Sequence, residues 1–120
     1  MIPAAADTIR KIYEKGGIIA AICTGALPIA KSGILKARRA TTYPVYPEVT
    51  DRDNRAILKS YGAIVVANED IVIDHRIITS SGPSTCFKVA FKMLELLIGS
   101  EDAEKVKKAM QFSRAKHALK

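Results

Sequence analysis

The run Ile18-Ile19-Ala20-Ala21-Ile22 constrains this chain more than any other feature. It is apolar at every position, and it passes directly into Cys23-Thr24-Gly25-Ala26. A strand with no polar face must be covered on both sides, as strands of parallel sheets are. Gly16-Gly17 precedes it and marks the end of an earlier helix, because glycine readily takes the left-handed conformation found past helix ends. A covered strand with helices on either side of it in sequence reads as an α/β fold.

The rest of the chain keeps that alternation. Residues 4–15 form an amphipathic helix with Ile9, Ile12 and Tyr13 on one face. A helix over residues 25–30 ends in the turn Lys31-Ser32-Gly33, and a strand over 39–43 ends at Pro44. Residues 51–60 read as a helix capped by Asp51, with Ile57 and Leu58 facing inward, closed by Tyr61-Gly62. Residues 64–67 form a strand, and residues 71–73 and 77–79 flank a tight turn at Asp74-His75. The spacing of Phe87, Ala90, Phe91, Leu94, Leu97 and Ile98 predicts a helix over 83–98 that buries this stripe. Gly99 ends it and Ser100 caps a last helix, with Glu101, Asp102 and Glu104 early and Lys105, Lys107 and Lys108 later, matching the helix dipole. With no internal repeat and no low-complexity linker, all 120 residues are expected to form a single domain with a mostly parallel sheet.

Charge and composition exclude several function classes. The net charge is +7, but the bases are scattered, with modest concentrations at Lys36, Arg38 and Arg39 and along 105–120. Aromatic residues are sparse and not interleaved with those bases, so no nucleic-acid stacking platform is expected. A solvated basic face is the simpler reading. No apolar run approaches the roughly 20 residues that span a bilayer, so no membrane role is expected. The first residues, MIPAAADTIRKIYEKGG, turn polar too soon for a signal-peptide core, which makes the cytoplasm the expected location. Two cysteines in unlike contexts make no disulfide scaffold, and two His with two Cys far apart make no metal cluster. Neither metal nor cofactor is expected.

The chemistry of the chain is concentrated at Cys23. A buried strand that runs into a cysteine, followed by a helix opening on small residues, has the form of a nucleophile elbow with Cys in place of Ser. A sharp turn there would expose the side chain at the carboxyl end of the sheet, where open α/β sheets bind ligands. A helix N-terminus after it would favour the thiolate. The backbone N–H of Thr24 could point at a developing oxyanion, and Gly25 and Ala26 would let a substrate approach closely. Taken alone, the same residues equally suit a small buried apolar cysteine at a strand end.

The segment IIAAICTGALPIAKSGILKARRATTYP, followed by Asp74-His75-Arg76-Ile77-Ile78-Thr79-Ser80-Ser81-Gly82-Pro83-Ser84-Thr85-Cys86-Phe87 and its helix, resembles the ThiJ/PfpI superfamily. The likeness runs from Ile9 to about Leu97. It implies a flavodoxin-like three-layer sandwich, here the C-terminal two-thirds of a domain truncated at its N-terminus. It also implies Cys23 as nucleophile, the Thr24 amide as oxyanion donor, and a pocket lined by Gly25, Tyr43, Pro44, Ser81, Gly82 and Pro83. The activities it implies need no cofactor. They are glyoxalase- or deglycase-like reactions on a small carbonyl substrate or a glycated protein, with peptidase, chaperone-like and redox or stress-sensing roles as alternatives.

The sequence also departs from that family. The glutamate that meets the cysteine and the glycine amide that completes its oxyanion hole belong to earlier segments, and Glu14 lies on the wrong element to stand in. One family histidine follows a glycine, where this chain has Ala63 after Gly62. The other follows the cysteine, where this chain has Thr24. His75 reads as a solvated turn residue and His117 as part of the basic tail. Cys86 reads as a buried packing cysteine, with a resolving thiol for Cys23 as the alternative. Loss of leading strands would bare a sheet edge, so the chain is expected to be a homo-oligomer or to be completed by an N-terminal fragment on another chain.

Overall fold

The structure is a computed structural model that describes residues 3–49 and 51–112, so His117 lies outside the described residues. The chain divides into two compact units between Val89 and Ala90.

Pairing in the first unit begins in the apolar run. β1 (Ile19–Ala20) lies parallel to β5 (Ile77–Ser80), with Ile19 opposite Ile77 and Ala20 opposite Ile78. β5 folds back antiparallel on β4 (Ile71–Asp74), giving the order β1-β5-β4. A second pair, β2 (Arg39–Ala40) and β3 (Ile64–Val65), is parallel. Ile19 and Ala21 are buried while Ile18, Ala20 and Ile22 are half-buried, and among the described residues β1 carries a ladder on one edge only.

The two small sheets are joined through side chains. The carbonyls of Arg38 and Ala40 accept from Ile64 and Val66 N–H at 2.8 Å each. On the opposite edge, Arg39 N–H donates to Asp74 Oδ2 at 2.7 Å and Thr41 N–H to Thr79 Oγ1 at 2.9 Å. β2 therefore has backbone partners on one side and hairpin side chains on the other, which leaves few of its buried polar groups unmet. This also explains why the strand expected over 39–43 stops at Ala40. Thr41 bonds a hydroxyl instead of a ladder, and Pro44 has no N–H to offer.

Helices cover these strands. α1 (Pro3–Glu14) packs Ile9 and Tyr13 against the core, whereas Ile12, expected on the same face, is exposed. Gly16 takes φ 89° to end α1. Gly17 permits a close return, since a Cβ there would sit 2.5 Å from Ile12 Cγ2 and 2.8 Å from its carbonyl. α2 (Ala26–Lys31) buries Ala26, Leu27, Ile29 and Ala30 against Ile19, Leu35, Ala40, Leu58 and Ile77. α3 (Asn54–Ser60) begins three residues later than expected. Asp53, not Asp51, caps it, because its carboxylate reaches the Ala56 N–H at 3.0 Å. Leu58 is fully buried and Ile57 packs partly buried beside the core.

The helix expected over 83–98 is split. Pro83–Thr85 form a single 3-10 turn and α4 spans Cys86–Ile98. Val89 and Phe91 are its buried residues, while Phe87, Leu97 and Ile98 of the expected stripe are exposed. With apolar side chains on most sides of CFKVAFKMLELLI, spacing alone does not single out the covered face. In the second unit α5 (Ser100–Ala109) buries Ala103, and Phe91 meets Phe112 edge-on at 4.8 Å. Gly99, at φ 91°, occupies the cap position, which places Ser100 inside the helix and not at its cap.

Asp74 links hairpin and β2, and it is the clearest source of pH dependence. The Arg39 N–H, and after it His75 Nδ1 at 2.5 Å, hold its carboxyl below the ordinary aspartate value of 3.8. A depressed carboxyl stabilises the fold above its unfolded-state pKa, and that contribution disappears as pH falls through the lower folded value. Asp74→Asn is therefore expected to lower the stability measured by urea unfolding at pH 7 by about 1 kcal/mol. The difference from wild type should shrink as pH falls below 3.8. A difference that stays constant into strong acid would contradict this role.

Candidate active site at the Cys23 bend

The parallel register brings the carboxyl ends of β1 and β5 to the same end of the sheet. Pairing continues one residue past β1, where Ala21 N–H donates to the Ile78 carbonyl at 2.8 Å. The Ser80 hydroxyl then donates to the Ala21 carbonyl at 3.3 Å. Ile22 is still extended, at φ −117°, but Cys23 swings to φ 64°. A side chain in the left-handed region costs roughly 1–2 kcal/mol, so surrounding contacts must hold it there.

Those contacts are visible. Gly25 N–H donates to the Ile22 carbonyl at 3.1 Å and closes a 3-10 turn over Cys23–Gly25, from which α2 follows. The helix expected over 25–30 therefore starts at Ala26, after this inserted turn. Thr42, fully buried, donates its hydroxyl to the Cys23 carbonyl at 3.0 Å. Gly25 sits against Ala21 so closely that an added Cβ would lie 3.3 Å from the Ala21 Cβ. Cys23 itself is half-buried with a free thiol, and Thr24 is exposed.

The segment after β5 meets the residues beyond β2. Ser81 N–H donates to the Asp70 carbonyl at 3.0 Å, and Gly82 follows in extended backbone. The Gly82 carbonyl accepts from both the Thr85 hydroxyl, at 2.7 Å, and the Thr85 N–H, at 3.1 Å, while Pro83 starts the turn between them. The Tyr43 ring stands beside Gly82, with Cδ2 4.0 Å from where a Cβ would be. It packs on Tyr46 at 5.2 Å between ring centroids, and Pro44 is half-buried next to it. Two contacts thus join the segments: Thr42 with Cys23, and Tyr43 with Gly82.

Other residues stay apart. His75 lies in the turn before β5, at φ 55°, largely exposed and bound to Asp74, whereas Ser81 follows the other end of that strand. At about 3.3 Å per residue the strand keeps the two ends some 10 Å apart or more. Glu14 ends α1, before β1 begins. Cys86 is exposed and free, not a buried packing residue. It opens α4, where first-turn side chains face water unless a neighbour covers them. Among the described residues no group of three or more His, Cys, Asp or Glu is placed to hold a metal ion, and no helix is long and apolar enough to cross a membrane.

Thr42, Ser80 and Thr85 were not singled out from sequence. A signal is present for Ser80, since Ser80-Ser81 is a polar pair ending the apolar and β-branched run Ile77-Ile78-Thr79. Such hydroxyls at strand ends serve neighbouring carbonyls more often than solvent when they are buried.

This arrangement belongs to the flavodoxin-like α/β class. The crystal structure of Drosophila melanogaster DJ-1beta matches it with a TM-score of 0.72 at 30% identity, over 88% of this chain and 52% of that one. The DJ-1/PfpI family model matches residues 1–96, and the chain belongs to that family. It is 39% identical to protein DJ-1alpha of Drosophila melanogaster over 92% of this chain and 46% of that protein. It is 30% identical to the glutathione-independent glyoxalase DJR-1.2 of Caenorhabditis elegans, over 93% of this chain and 55% of that protein. The chain thus spans about half the length of these relatives.

The left-handed Cys23 gives a direct stability test. Cys23→Gly removes the strain of about 1–2 kcal/mol but adds unfolded-state entropy of about 0.5–1 kcal/mol, so it is expected to be more stable than Cys23→Ala by roughly 0.5–1 kcal/mol. Equal or reversed unfolding midpoints would show that the residue is not held in the left-handed region.

Proposed function

We propose that this chain carries the reactive cysteine of a glyoxalase- or deglycase-like enzyme that acts on small reactive carbonyls or their protein adducts. The observation that carries this reading is the half-buried Cys23 thiol on a strained bend at the carboxyl end of the sheet, the place where α/β folds bind ligands. Membership of the family, which includes a relative named as a glyoxalase, supports it.

In this scheme the Cys23 thiolate adds to the carbonyl carbon of a 2-oxoaldehyde. The C–S bond forms as the carbonyl π pair moves onto oxygen, and protonation of that oxygen gives a hemithioacetal. The Thr24 N–H faces the developing oxyanion. Gly25 leaves room for close approach, Tyr43 and Gly82 form the facing wall, and Pro44, Ser81 and Pro83 border it. The protonating acid is not one of the described histidines, because His75 is at the far end of β5. We assign it to water or to a companion segment seated along the free edge of β1, from a second copy or from a chain bearing further strands.

A non-enzymatic redox or stress-sensing role is the second reading, favoured by Ala63 and Thr24 standing where the sequence resemblance implies histidines. Chaperone-like action has no specific support, and peptidase action would need a histidine beside Cys23. Cys23→Ser is expected to reduce methylglyoxal turnover to background while Cys86→Ser retains it, as followed by loss of the dicarbonyl. Turnover that persists in Cys23→Ser would refute the enzymatic reading.

A further inference from the structure

We infer that Thr42 is a positioning residue that aims the Thr24 amide. This rests on the proposed role of that amide as oxyanion donor. Backbone bonds fix the chain on either side of the bend, at Ala21 N–H to the Ile78 carbonyl and at Gly25 N–H to the Ile22 carbonyl. The Cys23 carbonyl is gripped separately, by the Thr42 hydroxyl at 3.0 Å, from a residue 19 positions away. The peptide unit is planar and trans, so the Cys23 C=O and the Thr24 N–H point in opposite directions from a single rigid plane. Fixing the carbonyl therefore fixes the direction of the amide.

The anchor is itself immobilised. Thr42 is fully buried, so water does not compete for its hydroxyl. The preceding Thr41 N–H is bound to the hydroxyl of Thr79, which is also buried in β5. The Thr79 hydroxyl of β5 thus holds the backbone of Thr41, and the next residue, Thr42, holds the Cys23 carbonyl, with Ser80 holding the Ala21 carbonyl alongside. The left-handed φ of Cys23 gives the peptide plane a reason to rotate if released, and the Thr42 bond opposes that rotation. Arranged this way, the fold presents the thiol and its amide as a pair before any substrate arrives.

The test combines NMR with kinetics on the full chain, using methylglyoxal as probe. In wild type the Thr42 hydroxyl proton is expected in slow exchange with solvent. Thr42→Val should shift the Cys23 carbonyl carbon and Thr24 amide nitrogen resonances, and Thr42→Ser should restore them. Thr42→Val should also lower kcat on the order of tenfold to 100-fold with KM little changed, and Thr42→Ser should recover it. Unmoved resonances in Thr42→Val would overturn the inference whatever the kinetics show. Wild-type chain without turnover would sink the enzymatic reading but leave the resonances to decide the role of Thr42. If Thr42→Val does not fold, a rapidly exchanging Thr42 hydroxyl in wild type overturns the inference, and a protected one upholds it.

Discussion

The left-handed backbone at Cys23 is the constraint around which the first unit is arranged. It forces β1 to end abruptly, turns the thiol off the sheet and sends the chain into α2. Such a conformation survives only where neighbours over-determine it, and the structure supplies those neighbours from elements distant in sequence. Ser80 of β5 and Thr42 beyond β2 each bind a carbonyl of the bend. The hairpin holds β2 in turn through Asp74 and Thr79. Stability and the proposed chemistry therefore share one set of bonds, and the cluster of fully buried Thr41, Thr42, Thr79 and Ser80 is its physical form.

Much of this was legible in the sequence, because the strongest patterns are local. The apolar run Ile18–Ile22 signals a strand, of which only Ile19–Ala20 forms β1, Gly16-Gly17 signals a helix end, and the small residues after Cys23 signal a turn. Boundaries were harder wherever a side chain took over from the backbone. The shortened β2 follows from the Thr79 hydroxyl intercepting the Thr41 N–H, and the late start of α3 from Asp53 reaching Ala56. The covered face of α4 is not legible in spacing because apolar residues fill most of its circumference, and the exposure of Cys86 is hidden with it. The hydroxyls behind the bend are not legible in sequence, since threonine carries no pattern of its own until a distant carbonyl needs it.

The chain also shows how the work of such a site divides. Within residues 1–89 the Cys23 carbonyl is bound by Thr42 and the next residue, Tyr43, stands beside Gly82, while His75 lies in the turn before β5. In the proposed reading, nucleophile and oxyanion donor are neighbours on one bend, whereas proton transfer is assigned to groups beyond it. β1 carries a ladder on one edge among the described residues, and the companion segment proposed above would join there.

The central claim is that reactivity in this protein belongs to one thiol because of the backbone that carries it. Peptide mapping by mass spectrometry after brief treatment with dilute hydrogen peroxide addresses it most directly, since both cysteines are free and Cys86 is the more exposed. Oxygen addition confined to Cys23 is the predicted result. Equal oxidation of the two, or preference for Cys86, would mean that exposure and not the bend governs the chemistry.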